Sequence, residues 1–128
     1  DAEGPAIEAA RRNAAHLGLA DKVELMAGRI DETFLRRRLK AAGRPELVLL
    51  APPRQGTAAG VAAALADRRP ARVLHLACGA DEVPRELAAW TEAGLELDRV
   101  VPVDLFPGTA GLETMLLLAP ARGRGRRR

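Results

Sequence analysis

Residues 47–56 read Leu47-Val48-Leu49-Leu50-Ala51-Pro52-Pro53-Arg54-Gln55-Gly56, and they give the clearest indication of the fold class. Four consecutive aliphatic residues are typical of a strand that is buried on both faces of a parallel sheet. The strand must end at the proline pair, because proline has no backbone N–H to donate. In open α/β sheets, ligands bind beyond the carboxyl ends of the strands. The proline-rich loop is therefore the first place to expect a site.

Helix and strand patterns alternate on both sides of this stretch. Before it, the residues predict a helix over 5–16, a short strand over 23–26 and a helix that Asp31 caps and Gly43 ends. After it, they predict a helix over 57–66, a buried strand over 73–77 and a helix over 81–93 that carries Pro84 in its first turn.

The alternation of helix and strand patterns ends near the C-terminus. Residues 95–103 and 112–118 both have strand patterns, with a loop and no helix between them. Two consecutive strands predict an antiparallel pair at the edge of a mostly parallel sheet. We therefore predict an α/β three-layer sandwich. One domain should cover residues 1–118, and the Arg/Gly-rich residues 119–128 should form a disordered tail.

Composition excludes several functional classes. The chain has 128 residues, of which 48% are hydrophobic, and a net charge of +3 that comes from five arginines in the last seven positions. A single cysteine excludes an internal disulfide and a cysteine-based zinc site, and the two histidines are far apart, so no metal is expected. No apolar run is long enough to span a membrane, and no secretory signal opens the chain. We expect a cytoplasmic protein.

Two residues could carry chemistry. Cys78 follows a buried strand and precedes a helix, whose dipole and backbone N–H groups could stabilise a thiolate. A lone cysteine is as often a small buried hydrophobe. Glu113 begins an apolar run, where partial desolvation would raise its pKa toward that of a general base. It could equally face solvent at the start of a strand.

The proline-rich loop presents a single guanidinium, that of Arg54, next to Gly56. This group could hold a planar or anionic ligand above the sheet, although the segment could also be a plain strand-to-helix connection. Residues 51–56 and 78–80 should meet at one edge of the sheet, with residues 28–31 as a third candidate segment. His75 alternates with Val73 along a buried strand and is interpreted as structural. A cysteine–histidine hydrolase using His75 or His16 has no supporting spacing.

Four segments, taken in order, resemble the RNA uracil-5-methyltransferase family, which belongs to the class I S-adenosylmethionine-dependent methyltransferases. They are Ala6-Ile7-Glu8-Ala9-Ala10-Arg11-Arg12-Asn13-Ala14, Pro52-Pro53-Arg54-Gln55-Gly56, Ala77-Cys78-Gly79, and Val103-Asp104-Leu105-Phe106-Pro107-Gly108-Thr109 with Leu112-Glu113. The first is similar to the helix after the family's second strand. The others are similar to its Asp-Pro-Pro-Arg-x-Gly loop, its nucleophile motif (often Ser-Cys-Asn-Pro) and its Asp-Met-Phe-Pro-x-Thr-x-x-x-Glu ending. Together they span most of residues 1–118.

The resemblance implies a function for each matched residue. Cys78 would be the nucleophile that attacks carbon 6 of uracil, and Glu113 would be the base that removes the carbon-5 proton. S-adenosyl-L-methionine would be the cofactor, and tRNA or rRNA the substrate, with the target base flipped out of its stack. The cofactor would lie near Asp1, Arg29, Ala51 and Pro52. The RNA would lie near Arg54, Gly56 and Phe106.

The chain departs from the family at several positions. Ala51 replaces the acidic residue of the proline-rich loop, Gly79-Ala80 replaces Asn-Pro, and Gly111 stands where histidine is frequent. Arg29 stands where many methyltransferases place an acid near the adenine. Two hypotheses therefore remain: a catalytic RNA methyltransferase part, or an inactive remnant that acts as an RNA-binding or interaction module.

By the same resemblance, the sequence opens at the end of the family's second strand, without the first strand and its glycine-rich cofactor loop. We expect an N-terminally truncated sheet that needs the missing N-terminal part of the same parent chain. A sheet strand left unpaired would make the chain marginally stable or prone to associate. The arginines of the tail could add sequence-independent contacts to RNA phosphates, or could simply be solvated.

Overall fold

The computed structural model describes residues 3–39, 46–109 and 111–121. The helices are α1 (Gly4–His16), a short 3-10 helix (Ala20–Lys22), α2 (Glu32–Arg38), α3 (Val61–Ala66) and α4 (Val83–Glu92). The strands are β1 (Leu47–Leu50), β2 (Arg72–Ala77), β3 (Leu95–Val103) and β4 (Glu113–Pro120). The predicted α/β class is confirmed. Asp1 and residues 122–128, which include nearly all of the predicted tail, lie outside the described residues.

The four strands form one sheet in the order β1-β2-β4-β3. β1 pairs with β2 in parallel, whereas β4 is antiparallel to both of its neighbours, β2 and β3. The predicted C-terminal antiparallel pair is confirmed. The prediction of a mostly parallel sheet is wrong for the described strands. The last strand inserts between β2 and β3, so two of the three pairings are antiparallel.

The core lies on one face of this sheet. In the β2–β4 ladder, Val73 pairs with Leu118 and His75 with Leu116, and all four side chains are fully buried. Helices α2, α3 and α4 pack against that face, and Trp90 of α4 is also fully buried. The intervening side chains on the opposite face are only half-buried: Leu74, Leu76, Met115 and Leu117. The third layer of the predicted sandwich is therefore incomplete among the described residues.

β1 corrects the prediction of a strand buried on both faces. Val48 and Leu50 pack against the core, but Leu47 is 81% and Leu49 is 72% exposed. Leu47 and Leu49 lie on the face of β1 opposite the core, where the described residues leave them uncovered. β1 is also an edge strand of the described sheet, with a hydrogen-bonded neighbour on only one side.

Some predicted boundaries also move. Residues 23–26 do not join the sheet. The helix predicted over 57–66 begins only at Val61, because Gly60 adopts φ +79°, which is outside the helical range. Asp31 caps α2 as predicted, with Oδ1 accepting a hydrogen bond from the Phe34 N–H at 2.8 Å. The helix ends at Arg38, and the predicted stop at Gly43 lies outside the described residues.

The structure also corrects the predicted start of the tail. Ala119 and Pro120 belong to β4, where Ala119 pairs with Glu96 and Pro120 with Leu95. None of the described helices is long and apolar enough to span a membrane.

The two kinds of leucine in the sheet should respond differently to substitution. Leu116→Ala removes a fully buried side chain and should lower the free energy of unfolding by about 2–5 kcal/mol. Leu47→Lys changes an 81% exposed side chain and should alter it by less than about 0.5 kcal/mol. Leu47→Lys should also reduce self-association along the β1 edge. Urea denaturation and analytical ultracentrifugation measure both effects. An equal loss of stability in the two variants would contradict the described exposure of β1.

Candidate active site

The sheet brings the predicted segments to one edge. β1 and β2 are parallel neighbours, so the proline-rich loop after Leu50 and the turn after Ala77 leave the sheet on the same side. In the antiparallel ladder between β2 and β4, Ala77 pairs with Thr114. The next residue of one strand and the preceding residue of the other are Cys78 and Glu113, which this register places opposite each other.

Cys78 is half-buried, and its thiol is held in the protonated form. Its Sγ donates a hydrogen bond to the Pro52 carbonyl oxygen at 3.4 Å. Burial raises the pKa of the Cys78 thiol. The negative charge of the nearby Glu113 carboxylate raises this pKa further, whereas the Arg54 charge lowers it.

The expectation that a helix start stabilises a Cys78 thiolate is therefore wrong for this structure. α4 begins only at Val83, beyond a turn that separates it from the thiol. Glu82, at the start of this helix, also raises the pKa of Cys78 by its negative charge. Both features oppose ionisation of the thiol.

Glu113 is half-buried, which agrees with the first of the two alternatives for this residue. Its Oε2 atom is buried and has no hydrogen-bond partner within the described part of the chain. Leaving a buried carboxylate oxygen without a partner costs about 1–3 kcal/mol, more for a charged group, so such atoms are rare in folded proteins.

The proline-rich loop separates the cysteine from a neighbouring groove of about 980 Å³. The groove is lined by Arg29, Ala51, Pro52 and Gly56 together with apolar residues such as Leu49. Of these, the family resemblance assigned Arg29, Ala51 and Pro52 to the cofactor and Gly56 to RNA. Pro52 lies between the two regions, because it lines the groove while its carbonyl oxygen accepts from Cys78.

Arg54 and Phe106 lie outside the lining of this groove. Arg54 is exposed and is near enough to Cys78 for its charge to lower the pKa of the thiol. Phe106 is 53% exposed on the loop between β3 and β4. Its N–H donates to Asp104 Oδ1 at 3.2 Å, and its carbonyl accepts from Thr109 Oγ1 at 2.7 Å. The loop thus holds an aromatic ring toward solvent on the side of the sheet where Glu113 begins β4.

Glu86 and Thr57 hold the proline-rich loop, and the sequence patterns indicated neither of them. Glu86 of α4 is only 2% exposed, and its two oxygens accept from the backbone N–H (3.0 Å) and the hydroxyl (2.7 Å) of Thr57. Charged helix residues are usually solvated, so residue type gives no reason to expect Glu86 to be buried. Its position four residues before the apolar Trp90 places both on one helix face and could have indicated burial.

His75 is structural, as predicted. Its Nδ1 accepts from Trp90 Nε1 at 3.0 Å, and the two rings meet edge to face at 6.2 Å. Its Nε2 lies 3.7 Å from Glu86 Oε2, and no described residue forms a hydrogen bond with it. Because His75 pairs with Trp90 inside the core, the structure gives no support to a cysteine–histidine hydrolase. No group of three or more His, Cys, Asp or Glu side chains among the described residues could hold a metal ion.

Sequence relatives of the chain are bacterial RNA methyltransferases. An uncharacterized RNA methyltransferase of Clostridium acetobutylicum is 31% identical over 113 residues, which is 88% of this chain and 24% of that protein. Similar proteins occur in Enterococcus faecalis (30% identity, 85% of this chain and 24% of that protein) and Listeria monocytogenes (32%, 88% and 24%). The chain belongs to a family of RNA methyltransferases. It spans about a quarter of the length of these relatives.

Two solved methyltransferase structures share the fold of this chain. The Pyrococcus abyssi tRNA (uracil-54, C5)-methyltransferase in complex with S-adenosyl-L-homocysteine superimposes with a TM-score of 0.68 at 23% identity, over 93% of this chain and 27% of that one. The M1.HpyAVI–SAM complex gives 0.51 at 12% identity, over 73% and 49%. Both likenesses concern the fold. No protein-family model matches the chain.

The buried His75 should make the folded chain sensitive to mild acid. Burial lowers the pKa of His75, although the Glu86 charge opposes this shift. Between the usual histidine pKa near 6.5 and the lower folded value, only the unfolded chain binds the proton, so stability is lost as the pH falls through this window. His75→Asn, which keeps an acceptor for Trp90, should reduce that slope by up to about 1.4 kcal/mol per pH unit.

Urea denaturation between about pH 5 and 7 measures this slope. His16→Asn, at an exposed position, is the matched control. An unchanged slope in His75→Asn would mean that the buried imidazole takes up a proton as readily in the folded chain as in the unfolded one.

Proposed function

We propose that this chain supplies the catalytic part of an enzyme that methylates carbon 5 of uracil in tRNA or rRNA. One observation carries the proposal: the β2–β4 register sets Cys78 beside Glu113. A nucleophile and a separate base at one place are what substitution at carbon 5 requires. The RNA methyltransferase relatives and the fold of the Pyrococcus abyssi enzyme support it.

The two residues have complementary roles in this chemistry. Carbon 5 of uracil is a weak nucleophile until a thiolate adds to carbon 6 and pushes electrons toward carbon 5 as an enolate. Cys78 forms this carbon–sulfur bond. After the methyl group is in place, Glu113 removes the carbon-5 proton, the ring double bond re-forms and the carbon–sulfur bond breaks. The partner-free Oε2 of Glu113 is the atom suited to take that proton.

The raised pKa of Cys78 shapes the first step. The thiol must lose its proton as the substrate enters, because burial and Glu113 disfavour the thiolate in the free chain. Arg54 acts in the opposite direction, since its positive charge lowers the pKa of the thiol. A nearby cation that also contacts the substrate would couple thiol ionisation to RNA binding.

The groove beside the proline-rich loop fits S-adenosyl-L-methionine, which supplies an electrophilic methyl group when bound. Its volume of about 980 Å³ lies within the range of small-molecule sites, and apolar residues such as Leu49 and Ile30 line it. Arg29, Ala51 and Pro52 would contact the cofactor from this lining. Asp1, proposed for the cofactor ribose, lies outside the described residues, and its role remains part of the proposal.

The RNA would approach from the side of Arg54 and Phe106. Arg54 can pair with a phosphate or a base edge, and an exposed aromatic ring such as Phe106 can stack on an unstacked base. Gly56 would let the loop backbone come close to the RNA. An RNA substrate also fits the cytoplasmic location expected from the sequence. The remaining part of the parent chain would complete the cofactor site.

A second candidate function is an inactive RNA-binding or interaction module. Ala51 favours it, because this exposed methyl group lines the groove where the resembling family carries a carboxylate. Loss of that carboxylate would remove a group that orients the reactants while leaving the fold intact.

RNA containing 5-fluorouracil separates the two functions. Fluorine at carbon 5 cannot leave as a proton, so the bond between Cys78 and carbon 6 should persist after the methyl group is added. The parent protein, incubated with S-adenosyl-L-methionine and this RNA, should give a covalent adduct that survives denaturing electrophoresis. The adduct should be absent in Cys78→Ala and with RNA containing ordinary uracil. If folded protein forms no adduct with a broad RNA pool, the inactive module is correct, and Ala51→Asp becomes the variant to test for restored activity.

A further inference from the structure

The proline-rich loop (residues 51–56) is tied to α4 at its far end. Thr57, the residue that follows the loop, donates from both its backbone N–H and its hydroxyl to the two oxygens of Glu86. Arg85 Nη2 donates to the Gln55 carbonyl oxygen at 2.7 Å. Arg85 and Glu86, which are consecutive in α4, thus hold Gln55 and Thr57.

Gly56 allows this close approach. It adopts φ +75°, and a Cβ at this position would overlap both Glu86 Oε1 and Arg85 Nη2. A turn also closes the loop on itself, because the Gly56 N–H donates to the Pro53 carbonyl at 2.8 Å. The proline pair, this turn and the contact with α4 together restrict the loop to one arrangement.

The Glu86 carboxylate also lies beside the buried imidazole of His75. It is 2% exposed, and His75 Nε2 lies 3.7 Å from its Oε2 while Trp90 Nε1 fixes the other side of the imidazole. Since Nδ1 of His75 accepts from Trp90, the neutral ring carries its proton on Nε2, facing Glu86. A buried carboxylate is expensive unless it is hydrogen-bonded, and Thr57 provides the two direct bonds.

The opposite end of the loop contacts the cysteine. The Pro52 carbonyl accepts the hydrogen bond of the Cys78 thiol at 3.4 Å, so the position of the loop determines whether that thiol is covered. We propose that Glu86 and Thr57 are positioning residues that latch the proline-rich loop over Cys78. They set the exposure of the thiol and the place of Arg54 beside it. This inference rests on the proposed function only in taking Cys78 as the nucleophile.

The sole cysteine of the 128-residue chain makes the latch measurable without RNA or cofactor. The rate of Cys78 alkylation by iodoacetamide, followed from neutral to alkaline pH, reports both exposure and thiol pKa. Thr57→Val removes the hydroxyl and should raise the rate about fivefold, as expected when one hydrogen bond that closes the loop is lost. Its thiol pKa should fall toward the ordinary value, because burial is the main cause of the elevation. Glu86→Gln should act in the same direction.

Two controls isolate the latch from general stability. Thr57→Ser keeps both hydrogen bonds to Glu86 and should alkylate like the wild type. Glu46→Gln weakens the half-buried ion pair with Arg68 at the other end of β1 and should also leave the rate unchanged. Thermal melts of every variant show that folded protein is compared.

The proposal is overturned if Thr57→Val and Thr57→Ser alkylate at the same rate, or if Glu46→Gln accelerates alkylation as much as Glu86→Gln. Adduct formation with 5-fluorouracil RNA tests the proposed function separately. If the wild-type protein forms no adduct but the variants show the expected alkylation rates, the latch is supported and only the proposed methylation reaction is contradicted.

Discussion

β4 enters the sheet between β2 and β3, and its ladder with β2 fixes which residues meet at the edge of the sheet. Because Ala77 pairs with Thr114, Cys78 and Glu113 lie opposite each other, although 34 positions separate them in the sequence. A shift of one residue would turn the alternating side chains of β4 to the other face. Leu116 and Leu118, both fully buried, resist such a shift. Core packing therefore also fixes the chemistry at the edge.

The second constraint is the cost of burying polar groups beside that edge. Glu86 and His75 are almost fully buried, and each finds a hydrogen-bond partner in Thr57 or Trp90. Two buried atoms remain without a hydrogen-bond partner among the described residues: His75 Nε2 and Glu113 Oε2. The first lies 3.7 Å from Glu86 Oε2 inside the core, whereas the second belongs to the carboxylate beside Cys78. Each such atom in a folded protein calls for an explanation, and for Glu113 the proposed reaction supplies one.

Short-range patterns predicted much of this structure. The apolar run at 73–77 located β2, and the two consecutive strand patterns at the C-terminus located β3 and β4, although most side chains of β3 are exposed. The position of Cys78 and Glu113 followed from strand ends. The motif resemblance indicated the RNA methyltransferase family, which the sequence relatives confirm.

Features that depend on distant neighbours were not predictable from those patterns. The exposure of Leu47 and Leu49 depends on what covers the face of β1 opposite the core, and the sequence of β1 does not encode that. The raised pKa of the Cys78 thiol depends first on burial and then on the charges of Glu113 and Glu82, all of which arise only after folding. Glu86 was overlooked because a carboxylate in a helix is usually solvated. Its partner Thr57 lies 29 residues earlier in the chain.

The most direct test of the account is the pKa of the Cys78 thiol in Glu113→Gln. If the β2–β4 register places the carboxylate against the thiol, removing its negative charge should lower the thiol pKa and speed alkylation near neutral pH. Glu92→Gln, an exposed carboxylate at the end of α4, is the control and should leave the thiol pKa as it is in the wild type. A thiol pKa that is the same in Glu113→Gln and in the wild type would contradict the juxtaposition on which the proposed reaction depends.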